Sequence, residues 1–108
     1  MGTLSTHVLD TSLGRPAAGL AVTLATDEGT ELARATTDAD GRVGTLGPEV
    51  LDAGDYALTF ATGDYFTTSG ATGFYPSVTI TFTISDGAEH YHVPLLLNPY
   101  GYSTYRGS

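Results

Sequence analysis

The fold class predicted by the sequence is all-β, a two-sheet antiparallel sandwich of about eight strands with one short helix. Three observations predict it. Thr is the commonest residue, at 18 of 108 positions, and Gly follows at 14, with Val, Ile, Tyr and Phe filling much of the remainder. β-branched and aromatic residues suit a pleated, half-buried surface, while Gly marks turns. Apolar residues then recur with period two in several short runs, and turn clusters interrupt those runs at the spacing of a sandwich. No repeat, low-complexity tract or linker divides the chain, so residues 1–108 form a single domain.

Leu4, Thr6 and Val8 alternate with Ser5, His7 and Leu9, which gives a first strand whose inner face carries Leu4 and Val8. Leu13-Gly14-Arg15-Pro16 ends that run as a turn. Leu20, Val22 and Leu24 alternate with Ala21, Thr23 and Ala25, and Glu31 to Thr37 pairs back through Asp27-Glu28-Gly29-Thr30. Asp38-Ala39-Asp40-Gly41 is the next turn. Tyr56, Leu58 and Phe60 open a further strand after Ala53-Gly54-Asp55. Thr62 to Ser69 has no period-two signal and is assigned the helix. The clearest strand is Ser77 to Ser85, where Val78, Ile80, Phe82 and Ile84 share one face and Thr or Ser the other. After Ser85-Asp86-Gly87, His90 to Leu97 places Tyr91, Val93, Leu95 and Leu97 on one face. Pro94 there implies an edge position or a local break in pairing, because it has no N–H to donate.

Composition also excludes function classes. Twelve Asp and Glu against four Arg and no Lys give a net charge of −8, the wrong sign for a nucleic-acid backbone or an anionic membrane surface. With no cysteine, a disulfide scaffold, a thiolate zinc site and a cysteine nucleophile are excluded. No apolar run approaches the roughly 20 residues of a membrane span. Met1-Gly2-Thr3 leads at once into patterned sequence without the segments of a signal peptide. A soluble, cytoplasmic protein is therefore expected, one whose modest core would gain from oligomer formation.

With so few basic groups, each His and Arg is informative. His7 lies opposite the inner face of its strand, and His90 and His92 lie opposite Tyr91 and Val93. Pro94 and Leu96 share that outer face, which makes it unusually apolar for a solvated surface and suits a subunit interface. Adjacent strands would bring His7 near His90 or His92. Residues two apart on a strand are roughly 6.5–7 Å apart, so His90 and His92 need not serve one small site. Three histidines also admit a zinc site with an open position, although their spacing matches no helical or knuckle-type motif. Asp38-x-Asp40-Gly41 resembles the start of a calcium loop but lacks the ligands that should follow. No nucleophile elbow, phosphate-cradling loop or dinucleotide fingerprint is present. The end of the chain, Tyr100 to Ser108, is aromatic where termini usually become small and polar.

Taken together, three segments resemble the transthyretin-like family, in its hydrolase branch. They are Leu4-Ser5-Thr6-His7-Val8-Leu9-Asp10-Thr11 with Gly14-Arg15-Pro16-Ala17, Thr37-Asp38-Ala39-Asp40-Gly41-Arg42, and His90-Tyr91-His92-Val93-Pro94-Leu95-Leu96-Leu97 through Tyr105-Arg106-Gly107-Ser108. The terminal tetrad separates the hydrolases from the hormone-carrying members. The resemblance implies a homotetramer, a dimer of dimers with active sites at the dimer–dimer interface. It implies metal-free hydrolysis of 5-hydroxyisourate in urate degradation, with no cofactor. It assigns His7, Arg42, His92 and Ser108 to catalysis and His7, Arg42, Tyr105 and Arg106 to substrate binding, and leaves His90 structural or supporting. The alternatives are a non-catalytic carrier of a small aromatic ligand and an immunoglobulin-like adhesion module.

Overall fold

The computed structural model describes residues 3–48, 51–87 and 89–107. Nine strands and one helix follow in the order β1 (Leu4–Asp10), β2 (Arg15–Pro16), β3 (Ala21–Thr26), β4 (Glu31–Thr36), β5 (Arg42–Val43), β6 (Gly54–Phe60), α1 (Thr62–Ser69), β7 (Val78–Ile84), β8 (Tyr91–Asn98) and β9 (Gly101–Thr104). One sheet has the order β2-β1-β8-β9, with β5 also paired to β1, and the other has the order β4-β3-β6-β7. The two face each other across one core. Leu4 and Val8 from β1, Leu95 and Leu97 from β8, Val22 and Leu24 from β3, and Leu58 and Phe60 from β6 are all buried there. These are the apolar positions of the period-two runs. The helix falls on Thr62–Ser69 as expected, adds Phe66 to the core, and ends at Gly70 in the left-handed region. No helix among the described residues is long and apolar enough to cross a membrane.

Two local expectations change in detail. The sandwich is antiparallel in every strand pairing but one, since β1 and β8 run parallel, from Leu4↔Tyr91 to Asp10↔Leu97. No hairpin joins these two strands, so nothing local imposes opposite directions on them. Pro94 lies in a central strand rather than an edge strand, and it marks a break in pairing. The β8–β9 ladder runs from Asn98↔Gly101 to Leu95↔Thr104 and resumes only at the isolated bridge His92↔Gly107. The lapse falls where Pro94 has no N–H to offer. In its place the Thr104 hydroxyl donates to the Pro94 carbonyl at 2.7 Å.

A buried carboxylate ties the helix to the end of β1. Asp10 is only 2% exposed. Its Oδ1 accepts from the Ser12 hydroxyl and N–H at 2.5 and 3.0 Å, and its Oδ2 accepts from the Tyr65 hydroxyl at 2.7 Å. Burial by itself would raise the Asp10 carboxyl, but the bonds from Ser12, Tyr65 and Leu13 outweigh it and hold the group below its ordinary value. Burial and the Asp10 charge push Tyr65 up to about 12.

Candidate functional site

Register on the first sheet decides which polar side chains meet. Residues directly opposite one another on paired strands project to the same face. His7 is opposite Arg42 on one side, across the β1–β5 pair, and opposite Pro94 on the other, across β1–β8. Ser5 is opposite His92. The outer face of this sheet therefore gathers Ser5, His7, Arg42 and His92, while Leu4, Thr6 and Val8 turn inward.

Arg42 depends on the turn before it. Asp38 Oδ1 accepts the N–H groups of Asp40 and Arg42 at 2.9 and 3.0 Å, and Gly41 N–H donates to the Asp38 carbonyl. Gly41 has a φ of 74°. A Cβ there would lie 2.4 Å from the Val8 carbonyl oxygen, so only glycine allows the turn to press against β1. The Val8 N–H donates to the Gly41 carbonyl at 2.8 Å and sets Arg42 beside His7. Both salt bridges among the described residues, Arg34–Glu31 and Arg106–Glu89, leave Arg42 out.

Ser5, Arg42, Val43, Gly44, His90 and His92 line an open cleft of about 250 Å³. His7 borders it on the same face without lining it. His92 is half-buried, with Nδ1 2.7 Å from Ser5 Oγ. Burial pushes the His92 imidazole below its ordinary pKa, and the charges of Arg42, His7 and His90 push the same way, while a bond to Ser5 opposes them. A neutral ring with one nitrogen held by a hydroxyl is suited to take a proton from water near neutral pH. The Arg42 guanidinium supplies a planar donor fork beside it. Asp38, in the turn before β5, is held below its ordinary value by the backbone N–H groups of Arg42 and Asp40 and by the Arg42 and His7 charges.

The terminal residues divide. Gly107 packs against His92 and donates its N–H to the His92 carbonyl at 2.8 Å. Tyr105 and Arg106 instead line a second cavity of about 290 Å³ at the open edge of the sandwich, with Ile80, Phe82, Tyr91 and Val93. The Arg106 guanidinium carbon lies 4.5 Å above the Tyr91 ring centroid, and its 3.9 Å ion pair with Glu89 is between exposed side chains. These two residues are thus on a different wall from His7, Arg42 and His92. Ser108 lies outside the described residues. Among the described residues, no group of three or more His, Cys, Asp or Glu is placed to hold a metal ion.

Two members of the site, Ser5 and Gly44, carry no signal in the alternation alone, and a third, His90, reads there only as an outer-face histidine. Ser5 reads as an ordinary outer-face residue, yet it is 8% exposed and touches two imidazoles. His90 is exposed, but its Nε2 is 3.0 Å from Ser5 Oγ and its Nδ1 bonds the Thr3 hydroxyl. Gly44 lines the cleft through backbone. The pairings of β1 with β8 and with β5 would reveal their grouping, and a single sequence does not encode those pairings locally.

The fold and cleft together define a transthyretin-like β sandwich whose outer sheet face carries imidazoles and a guanidinium. The model of the HIUase/Transthyretin family matches residues 4–107, and the chain belongs to that family. It is 50% identical to a 5-hydroxyisourate hydrolase of Salmonella dublin over 97% of this chain and 80% of that one. It is 47% identical to the 5-hydroxyisourate hydrolase of Caulobacter vibrioides over the full length of both. The solved structure of Klebsiella pneumoniae 5-hydroxyisourate hydrolase superposes with a TM-score of 0.91 at 44% identity, covering 98% of this chain and 99% of that one.

Proposed function

We propose that this chain is an enzyme that hydrolyses 5-hydroxyisourate, opening its six-membered ring to give 2-oxo-4-hydroxy-4-carboxy-5-ureidoimidazoline. The observation that carries the reading is the meeting of His7, Arg42 and His92 on one sheet face, in a chain whose near relatives bear that activity. His7 and His92 activate the attacking water and carry its proton to the departing ring nitrogen. Arg42 polarises the substrate carbonyl edge as it becomes an oxyanion. Tyr105 and Ser108 close the pocket, and Arg106 braces the terminus from its seat on Tyr91. The reaction needs no metal or cofactor.

The site is completed in a homotetramer, a dimer of dimers with the clefts at the dimer–dimer interface. That arrangement accounts for a cleft this open in one protomer and for Tyr105 being 59% exposed. A carrier of an aromatic ligand would call for apolar walls, whereas Ser5, Arg42, His90 and His92 line this cleft. The test is to generate 5-hydroxyisourate with urate oxidase and follow its ultraviolet decay. Decay accelerated by catalytic amounts of this protein supports the reading. An unchanged decay, with stoichiometric retention of the ligand, would make it a carrier.

A further inference from the structure

Two histidines and a hydroxyl group form a continuous chain along one wall of the cleft, ending at an exposed imidazole. Ser5 Oγ lies 2.7 Å from His92 Nδ1 and 3.0 Å from His90 Nε2. His90 Nδ1 bonds the Thr3 hydroxyl, and the His90 side chain is exposed. The parallel pairing places Ser5 opposite His92 and extends the same register toward Thr3 and His90, with Tyr91 N–H donating to the Thr3 carbonyl at 2.8 Å. Ser5 itself is nearly covered by the two rings.

We propose that Ser5 is a positioning residue for His92 and that Ser5 and His90 relay protons between His92 and solvent. The proposal rests on the reading of His92 as a base in the hydrolysis. Hydrogen-bond directions along the chain are mutually consistent. If His92 Nδ1–H donates to Ser5, the Ser5 hydroxyl donates to His90 Nε2 and His90 Nδ1–H donates to Thr3. His92 Nε2 then keeps its lone pair. When Nε2 takes a proton from the attacking water, Nδ1 releases its own to Ser5 Oγ, and the Ser5 hydroxyl proton moves to His90 Nε2. His92 is neutral again and the positive charge rests on exposed His90. The reverse transfer returns a proton through His92 Nε2 to the departing ring nitrogen, so no net proton is gained or lost. A hydroxyl is the smallest group that both accepts and donates between two imidazoles, which is the chemical reason for serine at this position.

The test uses Ser5→Ala, Ser5→Thr, His90→Gln and, in parallel, His92→Asn, each checked for an intact β circular-dichroism signal. The titratable and charged groups facing His92 are Arg42, His7, His90 and, beyond them, Asp38, and all four are retained in both Ser5 variants. Ser5→Ala should lower kcat about 10- to 100-fold with KM nearly unchanged, up to the lower end of a full general acid–base contribution, since the base itself is retained. It should also change the tautomer signature of the His92 ring nitrogens in nitrogen-15 spectra. Ser5→Thr should restore most of both. His90→Gln should lower kcat, and added imidazole buffer should raise it again without affecting wild type. If His92→Asn loses activity while Ser5→Ala and His90→Gln match wild type in kcat and pH profile, the relay is overturned and the site reading stands. If His92→Asn itself retains wild-type turnover, both are overturned.

Discussion

A Cβ on Gly107 would lie 2.4 Å from Cδ2 of His92, and the Gly107 N–H donates to the His92 carbonyl at 2.8 Å. The bridge between these two residues is the point at which the terminal segment returns to β8 after the gap left by Pro94. The terminal segment is therefore registered on His92 through Gly107. Gly107→Ala should force the ring or the terminal strand to move. Turnover should fall at least tenfold, on the scale lost when a catalytic group is displaced by about 1 Å. The melting temperature should change little, because the bridge is at the edge of the sheet. Steady-state kinetics beside a thermal melt checks both parts, and unaltered turnover would show that the contact does not position His92.

Arg42→Ala and His92→Asn should each lower turnover by about 10²-fold or more, the size of single oxyanion and acid–base contributions. Arg42 is exposed and makes no salt bridge among the described residues, so its replacement should leave stability within about 0.5 kcal/mol. Turnover that survived both changes would remove these residues from the chemistry.

The pH dependence follows from the environment of His92. Burial, then the charges of Arg42, His7 and His90, hold its pKa below the ordinary 6.5. The base form thus persists to lower pH than in free imidazole. The acid limb of kcat/KM, which reports the free enzyme, should have its midpoint below 6.5. Arg42→Gln removes one repulsive charge, so the midpoint should rise toward 6.5 in that variant even as the rate falls. A midpoint unmoved by the substitution would separate the titrating base from Arg42.

Tyr65→Phe removes one hydrogen bond to a buried carboxylate, a loss of about 1.5–3 kcal/mol at neutral pH. Asp10 is held below its ordinary value by its hydrogen bonds, against the opposing effect of burial. Its contribution is therefore present above the unfolded carboxylate value of about 3.9 and is lost as pH falls through the folded value. Urea unfolding at pH 7 and at successively lower pH should show the gap between wild type and variant narrowing below about pH 4. A gap constant with pH would mean that Asp10 is not the group Tyr65 stabilises.

Deleting Tyr105 to Ser108 should abolish activity and preserve the β circular-dichroism signal, since β9 ends at Thr104. A truncated chain with full activity would confine the site to the sheet face.

Alternation along the chain determined by itself which side of each strand enters the core. Val22 and Leu24, Leu58 and Phe60, and Leu95 and Leu97 are buried where a period of two places them. It likewise determined that His7 and His92 leave the core, because the side-chain period is a property of the backbone and needs no partner strand. The turn at Asp38 to Gly41 was legible for a similar reason, since short Asp side chains and glycine act on their own neighbours.

Only the tertiary structure decided who faces whom. The parallel register of β1 on β8 sets Ser5 against His92, the turn carrying Gly41 sets Arg42 against His7, and the lapse at Pro94 leads the terminal segment to His92 through Gly107 while Tyr105 and Arg106 go to another wall. Pairing between strands more than eighty residues apart is chosen by the packing of the whole core, and a one-residue slip would turn every side chain to the opposite face.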